Sequence, residues 1–239
     1  MTFRGTFFIM QPQLMKRSLQ TLIAAAGLSL ITLAAGAAPA DDRDKDYVWN
    51  QMYAEKLQVL KTQGDALRGE IAFEICQGCH RHNAVGREDG SYPRLAGQHA
   101  SVLIKQMTDV RSNRRQNKKM RSFIDTHVIT PQEIADIAMY LQSLPVTPDN
   151  GKGEGDNLAQ GETLYKRDCV SCHGAKGEGD EAKFYPRVSG QHYKYLLREG
   201  RLIRDGGRGN ANPDMMKAVK PYSDADLKAV VDYMSRLPL

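Results

Sequence analysis

The sequence contains only four cysteines among its 239 residues. All four lie in two short motifs, so no cysteine remains for a disulfide elsewhere or for an isolated thiol nucleophile. The sequence also lacks the period-2 alternation of apolar and polar residues that would predict a half-buried β-sheet. These absences argue against a disulfide-stapled fold and favour an all-α chain.

Acidic residues are missing from the first 40 positions, which contain the basic residues Arg4, Lys16 and Arg17. The formal net charge of +5 therefore falls to +2 beyond residue 40, where 30 basic residues face 28 acidic ones. So small an excess gives no argument for nucleic acid as a partner, and only local basic patches carry information. The hydrophobic content of 41% is modest for small domains, so a bound apolar group would help to complete their cores.

The two cysteine motifs both read C-x-x-C-H and lie at residues 76–80 and 169–173. Two thiols at this spacing can add to the two vinyl groups of one porphyrin, and the histidine that follows can supply an axial nitrogen to the iron. The sequence therefore predicts two covalently bound haem c groups. The predicted attachment residues are Cys76, Cys79, Cys169 and Cys172, and the predicted axial histidines are His80 and His173.

Two other uses of such cysteine pairs are a zinc site and a redox dithiol. Zinc sites of four cysteines usually keep both pairs close in sequence, whereas these motifs are 93 residues apart. A redox dithiol would not explain why a histidine follows both pairs. Covalent haem is therefore the favoured interpretation.

Residues 1–40 have the pattern of a secretory signal peptide. Lys16 and Arg17 precede an apolar run over residues 19–35, and Ala38-Pro39-Ala40 is a suitable cleavage site. Because the run is slightly short of a comfortable membrane span, an uncleaved membrane anchor is the alternative. Export agrees with the chemistry, since c-type haem is attached outside the bacterial cytoplasm, and we expect a periplasmic protein.

Beyond the signal peptide we predict an extension at residues 41–64, a first domain at 65–147, a polar glycine-rich linker at 148–158 and a second domain at 159–239. The extension starts with charged residues and continues as an amphipathic helix. It has no counterpart before the second motif, and the sequence does not decide between packing on the first domain and contacting a partner.

The two domains repeat the same features in the same order. Gly69 and Gly161 precede the motifs, and Phe73 and Tyr165 each follow such a glycine by four residues. This is helical spacing, so glycine and aromatic ring share a face that another helix can cross closely.

Later features of the repeat follow each motif. A proline lies thirteen residues after each motif histidine and opens a segment that ends in Gly-Gln-His, at residues 93–99 and 186–192. Each copy then continues with a helix and a loop that carries a methionine. It ends with a capped helix that begins near Thr130 in the first copy and near Ser223 in the second. The pattern predicts two tandem all-α domains, each wrapped around a haem.

Each half resembles a class I c-type cytochrome domain, and the tandem copies with Pro-x-Leu/Val-x-Gly-Gln segments resemble the dihaem cytochrome c4 family. The resemblance covers roughly residues 65–239. It implies His80 and His173 as proximal ligands and one methionine as the distal ligand of each iron. It also implies that the carbonyls of Pro93 and Pro186 accept a hydrogen bond from the proximal imidazoles.

The spacing in this family places the distal methionine about eight residues before the cap of the last helix. Met215 lies eight residues before Ser223, which favours Met215 over Met216. Met120 lies ten residues before Thr130, so the first domain carries a small insertion, but Met120 remains the best-placed methionine there. We expect packing or surface roles for the other candidates, although His127 could in principle bind iron: Met107, Met216, His82, His99, His127 and His192.

With an imidazole and a thioether on each iron, no axial position remains for a substrate, so we expect an electron carrier and not an enzyme. The resemblance implies periplasmic electron transfer, with a terminal oxidase, a bc1-type complex or a dehydrogenase as partner, and with peripheral membrane association left open. One alternative is the dihaem subunit of a larger oxidoreductase, such as a flavocytochrome sulfide dehydrogenase. Another is a haem enzyme with one open iron, for which the irregular spacing of the first domain is the place to look.

A run of basic residues without an acid leads into Met120 and consists of Arg111, Arg114, Arg115, Lys118, Lys119 and Arg121. Its position predicts a docking surface for an acidic redox partner on the first domain, with an ordinary solvated face as the alternative. The second domain has a sparser set: Arg198, Arg201, Arg204 and Arg208. The near-exact repeat and the short linker also predict that the two haem edges lie close together.

Overall fold

The computed structural model describes residues 48–239, and this part of the chain is helical. The predicted signal peptide and the charged start of the extension lie outside the described residues. Within residues 48–239 the backbone forms no β-strand, and an isolated bridge joins Asp180 and Tyr185. The all-α prediction is therefore confirmed for this part of the chain.

The helices over residues 48–239 repeat in two series. They are α1 (Ala54–Lys61), α2 (Ala66–Ala72), α3 (Glu74–His80), α4 (Ala100–Arg111), α5 (Lys118–Arg121), α6 (Pro131–Ser143), α7 (Leu158–Asp168), α8 (Val170–His173), α9 (Tyr193–Arg204), α10 (Pro213–Val219) and α11 (Asp224–Ser235). Helix α1 belongs to the extension. We call the part of the chain that carries α2–α6 the first half, and the part that carries α7–α11 the second half.

In each half the first and last helices cross at a glycine. A Cβ atom on Gly69 would lie 2.0 Å from the backbone oxygen of Asp136 on α6, and one on Gly161 would lie 2.1 Å from the oxygen of Ala229 on α11. Beside each crossing an aromatic pair packs with ring centroids 5.7 Å apart for Phe73 and Tyr140 and 5.6 Å apart for Tyr165 and Tyr233. The close crossing that the glycine spacing predicts is present in both halves.

The last helix of each half begins with a capping box, as the sequence predicts. The hydroxyl of Thr130 accepts a hydrogen bond from the Glu133 amide at 3.2 Å, and the hydroxyl of Ser223 accepts one from the Asp226 amide at 3.1 Å. Both acidic side chains accept a hydrogen bond from the cap residue in return, which satisfies backbone donors that the helix leaves free. The apolar faces of these helices close two separate cores, which include Ile134, Ile137 and Leu141 in one half and Leu227, Val230 and Val231 in the other.

A buried charge cluster attaches the extension to the first half and also receives a side chain of the second half. Lys56 on α1 lies with its Nζ 2.7 Å from the Oδ1 of Asp109 on α4, and Lys105 forms an ion pair with the other oxygen. Asn210 of the second half donates a hydrogen bond of 2.9 Å to the same carboxylate. The three charged side chains are essentially inaccessible to solvent, so two ammonium groups share one buried carboxylate. The sequence left the place of the extension open, and the structure packs it on the first half.

Replacing Lys105 tests the energetics of this cluster. Burial lowers the pKa of Lys105 to about 8, against the attraction of Asp109. Between about pH 8 and the ordinary lysine value, the unfolded chain binds more protons than the folded one, so stability rises with pH in this window. Lys105→Met leaves Lys56 to neutralise Asp109, so at pH 7 the variant should gain up to roughly 3 kcal/mol in the free energy of unfolding.

Guanidinium unfolding at pH 7 and at pH 9.5 measures the effect, and the advantage of the variant should shrink at the higher pH. Asp109→Asn is the matched control, since it leaves two buried ammonium groups uncompensated and should cost about 3–5 kcal/mol. A Lys105→Met protein that is less stable than the wild type at pH 7 would contradict this account.

Candidate functional site

The two C-x-x-C-H motifs occupy short helical turns in corresponding places. Helix α3 carries the first motif, whereas Cys169 ends α7 and the rest of the second motif forms α8. All four thiols are free of disulfides. Burial raises the pKa of Cys76 to about 11 and that of Cys169 to about 12, so these thiols are protonated at neutral pH, unlike those of a reactive dithiol.

Each motif histidine bonds to the backbone of the proline thirteen residues later. His80 lies with Nδ1 3.2 Å from the oxygen of Pro93, and His173 lies with Nδ1 3.0 Å from the oxygen of Pro186. Because a carbonyl only accepts, Nδ1 carries the proton and Nε2 keeps its lone pair. Burial lowers the pKa of both histidines, so both rings are held in the neutral form that binds metal ions.

One cavity of about 490 Å³ extends through both halves. His80 and Met120 line it in the first half, and His173 and Met215 line it in the second. Most of the remaining wall is apolar, with Leu103, Ile137 and Val230 among its side chains. Within residues 48–239 no three or more His, Cys, Asp or Glu side chains are grouped to hold a metal ion. A large apolar cavity that is lined by the thiols of Cys76, Cys79 and Cys169, and by a neutral imidazole and a methionine thioether in each half, fits covalent haem, which brings its own iron.

The two predicted methionine ligands, Met120 and Met215, lie on short helices, not on the loops that the sequence predicts. Asn117 caps α5 and accepts a hydrogen bond from the Met120 amide at 3.2 Å, and Asn212 caps α10 in the same way through the Asp214 amide. Each methionine thus follows its capping asparagine by three residues. This Asn-x-x-Met pattern is visible in the sequence and could have set the register of both methionines from the start.

The other candidate ligands occupy different places. Met216 packs with Met215 against a small cluster around Ile203, and Met107 is buried in the first core although it also touches the cavity. His82 and His127 are exposed. His99 and His192 lie between the halves, and their Nε2 atoms bond to the backbone oxygens of Glu178 and Val85, each at 2.7 Å.

The basic run before Met120 does not form the six-residue surface that the sequence predicts. Arg111 is buried, bonds to the backbone oxygens of Ile124 and Ile129 and pairs with Glu55. Arg115 reaches across to the second half, where it lies 3.2 Å from both the Tyr195 hydroxyl and the Glu199 carboxylate. These arginines stabilise the fold. Arg111 donates to backbone carbonyls of the first half and pairs with a carboxylate of the extension, and Arg115 pairs with a carboxylate of the second half.

The exposed remainder of the run is smaller than the sequence indicates. Arg114 bonds to Gln51 and Val48 of the extension. Lys118, Lys119 and Arg121 are exposed on α5. A surface of three basic residues therefore flanks Met120, in place of the expected six.

The fold and this cavity define a c-type cytochrome with two covalently bound haem c groups. The family model for cytochrome c matches residues 66–145 and 158–238, one copy in each half. None of the helices over residues 48–239 has the length and apolar character of a membrane span.

Comparison with similar proteins identifies the family of c-type cytochromes to which the chain belongs. Cytochrome c4 of Azotobacter vinelandii is 30% identical over 193 residues, which cover 73% of this chain and 90% of that protein. Cytochrome c4 of Thiocapsa roseopersicina is 33% identical over 189 residues, covering 73% and 93%. The thiosulfate dehydrogenase electron acceptor of Stutzerimonas stutzeri is 31% identical over 198 residues, covering 78% and 88%. The chain belongs to the cytochrome c4 family, whose members carry electrons and are not enzymes.

Solved structures agree with this assignment. Reduced cytochrome c4 from Pseudomonas stutzeri superposes with a TM-score of 0.66 at 25% identity, covering 73% of this chain and 100% of that one. Thiosulfate dehydrogenase from Marichromatium purpuratum superposes with a TM-score of 0.63 at 26% identity, covering 72% of this chain and 40% of that one. The tandem arrangement predicted from the repeat is therefore confirmed.

Proposed function

We propose that the protein carries electrons in the periplasm, with His80 and Met120 on one iron and His173 and Met215 on the other. The observation that carries this proposal is one cavity that is lined, in each half, by a neutral motif imidazole and by the predicted methionine ligand. Each haem, when bound, supplies an iron that alternates between the ferrous and ferric states.

The residues of the chain prepare the cavity for this task. Pro93 and Pro186 fix the proximal rings through Nδ1, so that each Nε2 is available to the iron. The thioethers of Met120 and Met215 would each hold an iron as its second protein ligand, which would favour the ferrous state and leave no place for a substrate. The apolar wall excludes water, so the surroundings rearrange little when the charge changes.

The periplasmic location rests on the first 40 residues. Their basic start, apolar run and small-residue cleavage site form a signal-peptide pattern, and covalent haem attachment outside the bacterial cytoplasm requires export. These residues lie outside the described part of the chain. Detection of the mature protein in a periplasmic extract, with its N-terminus near residue 41, would test the location.

A dehydrogenase is the electron donor that the relatives favour. The Stutzerimonas stutzeri relative is named as the electron acceptor of thiosulfate dehydrogenase, and the chain also superposes on part of a thiosulfate dehydrogenase. These observations also support a second candidate function, a dihaem subunit held permanently by such an enzyme. Copurification with a catalytic subunit would favour the subunit, and isolation as a free chain would favour the mobile carrier.

The exposed rim of the first half is the proposed docking surface for an acidic partner. Ile75 and Phe123 line the cavity and remain 44% and 46% exposed, so an apolar edge reaches solvent there. Lys118 and Lys119 lie on the adjacent α5. In the second half the residue that corresponds to Ile75 is Asp168, which is bonded to Tyr222. Apolar contact and positive charge thus coincide on the first half, which suits brief, electrostatically steered encounters.

Methionine substitutions test the ligand assignment. Met120→Ala or Met215→Ala should open one iron to external ligands and lower its reduction potential, because the thioether that stabilises the ferrous state is lost. Absorption and electron paramagnetic resonance spectra with added imidazole measure the change. Met216→Ala is the matched control and should leave both irons low-spin. If Met216→Ala opens the iron and Met215→Ala does not, the assignment in the second half is shifted by one residue.

Charge reversal tests the docking surface. Lys118→Glu with Lys119→Glu should slow oxidation by ferricyanide, an anionic one-electron oxidant, at low ionic strength in stopped-flow experiments. The matched control is Lys217→Glu with Lys220→Glu, which makes the same charge change at exposed positions on α10 and directly after it. Salt should reduce the difference between the two variants, because exposed charges are screened beyond roughly 10 Å at about 0.1 M. Equal slowing by both pairs would refute a preference for the first half.

A further inference from the structure

Two glutamines cross between the halves in opposite directions. The side-chain oxygen of Gln191 accepts the backbone N–H of Arg94 at 3.0 Å, and its amide donates to the carbonyl of Arg94 at 3.0 Å. Gln98 makes the same two bonds with the backbone of Arg187, at 2.9 Å and 3.0 Å. Each glutamine therefore pairs with a backbone segment of the opposite half.

The peptide groups reached by these glutamines are the ones that hold the proximal histidines. The carbonyl of Pro93 and the N–H of Arg94 belong to one peptide unit, which contacts His80 on its oxygen side and Gln191 on its nitrogen side. The Pro186–Arg187 unit contacts His173 and Gln98 in the same way. One planar amide thus lies between each proximal imidazole and a side chain of the other half.

The two hydrogen bonds on such a unit strengthen each other. An amide is a resonant group, so an acceptor at its N–H shifts electron density toward its oxygen. Chains of hydrogen bonds polarise in this cooperative way, most of all where water is excluded. Gln191 and Arg94 are only 6% and 4% exposed, so this arrangement is shielded. A more negative Pro93 oxygen draws the Nδ1 proton of His80 more strongly, which makes the ring a stronger donor at Nε2.

We propose that Gln98 and Gln191 are positioning residues that tune the haem of the opposite half. Gln191, in the second half, lowers the reduction potential at His80, and Gln98, in the first half, lowers it at His173, because a stronger imidazole donor stabilises ferric iron. The inference rests on the proposed ligation by His80 and His173. It gives the paired Gly-Gln-His segments a function beyond joining the halves.

A purely structural role for the glutamines makes a different prediction. If they only joined the halves, loss of either one would disturb its own surroundings or both haems alike. Other bonds across the interface supply the comparison. His99 reaches the backbone oxygen of Glu178, a group that belongs to neither proline–arginine peptide. His99→Ala therefore removes a cross-interface bond and leaves both polarised peptides intact.

The experiment compares Gln191→Met, Gln98→Met and His99→Ala in the holoprotein. Methionine keeps the length of glutamine but accepts a hydrogen bond only weakly. Spectroelectrochemical titration gives the two potentials, and paramagnetic NMR of the axial-ligand resonances assigns each potential to its half. The shift of the Nδ1 proton in the ferrous protein reports directly on the histidine–proline hydrogen bond.

The expected pattern is crossed. Gln191→Met should raise the potential of the haem at His80 and shift the Nδ1 proton of that histidine upfield, and both changes should be several times larger than those at His173. Gln98→Met should do the reverse, and His99→Ala should leave both potentials near their original values. If one methionine variant fails to fold, the other still tests the proposal, because each variant should change the potential of the haem in the half opposite to the substitution.

Shifts confined to the substituted half, equal shifts in both halves or no shift would each overturn the proposal. Failure of the underlying ligation is distinguishable from these results. If the unmodified protein showed no hyperfine-shifted imidazole resonances from His80 and His173, the proposed ligands would be wrong. If those resonances are present and the crossed pattern is absent, only the tuning role fails.

Discussion

The hydrogen bond from each motif histidine to a proline carbonyl is the interaction on which the rest of the structure depends. The chain must turn back within thirteen residues to bring Pro93 to His80. Gly86 makes this possible, because it has a positive φ of 75° and a Cβ there would lie 2.4 Å from the Pro93 backbone. Gly179 plays the same part before Pro186, with a φ of 76° and a similar clash at the oxygen of Tyr185. The loop that positions each imidazole also presents the next amide to the opposite half.

The repeat is close to symmetric in its backbone but not in its charges. Arg115 and Arg208 occupy corresponding positions, and each bonds to the helix of the opposite half. Each also bonds to the helix of its own half, so both arginines contact the same two side chains. These two side chains differ in charge, because Glu199 stands in the second half where the first has Gln106. Burial raises the pKa of Glu199. The neighbouring guanidinium groups of Arg208, Arg115 and Arg198 outweigh this effect and bring the pKa below its ordinary value, so the carboxylate is charged. The two sides of the cavity therefore meet different electrostatic fields.

Local patterns in the sequence were sufficient for much of this structure. The C-x-x-C-H motifs and the capping residues Thr130 and Ser223 act on neighbours within one or two turns, so spacing alone reveals them. The crossing glycines were found from their helical spacing to an aromatic residue, although the helices that they meet lie far along the chain. The partners of Gln98 and Gln191 lie 89 and 97 residues away along the chain. No local sequence pattern indicates which face of the first half packs against the second half. The same limit explains why Arg111 and Arg115 were wrongly predicted to be exposed. A basic run in the sequence does not indicate that buried carbonyls and Glu199 will bind its side chains.

The two haem sites line one cavity, so we expect the two haems to act as a single unit. Pulse-radiolytic reduction by one electron, followed at wavelengths that distinguish the two haems, tests this most directly. The account predicts a first-order redistribution of the electron between the halves at a rate that does not change with protein concentration. A redistribution rate proportional to protein concentration, as for electrons exchanged between separate molecules, would contradict it.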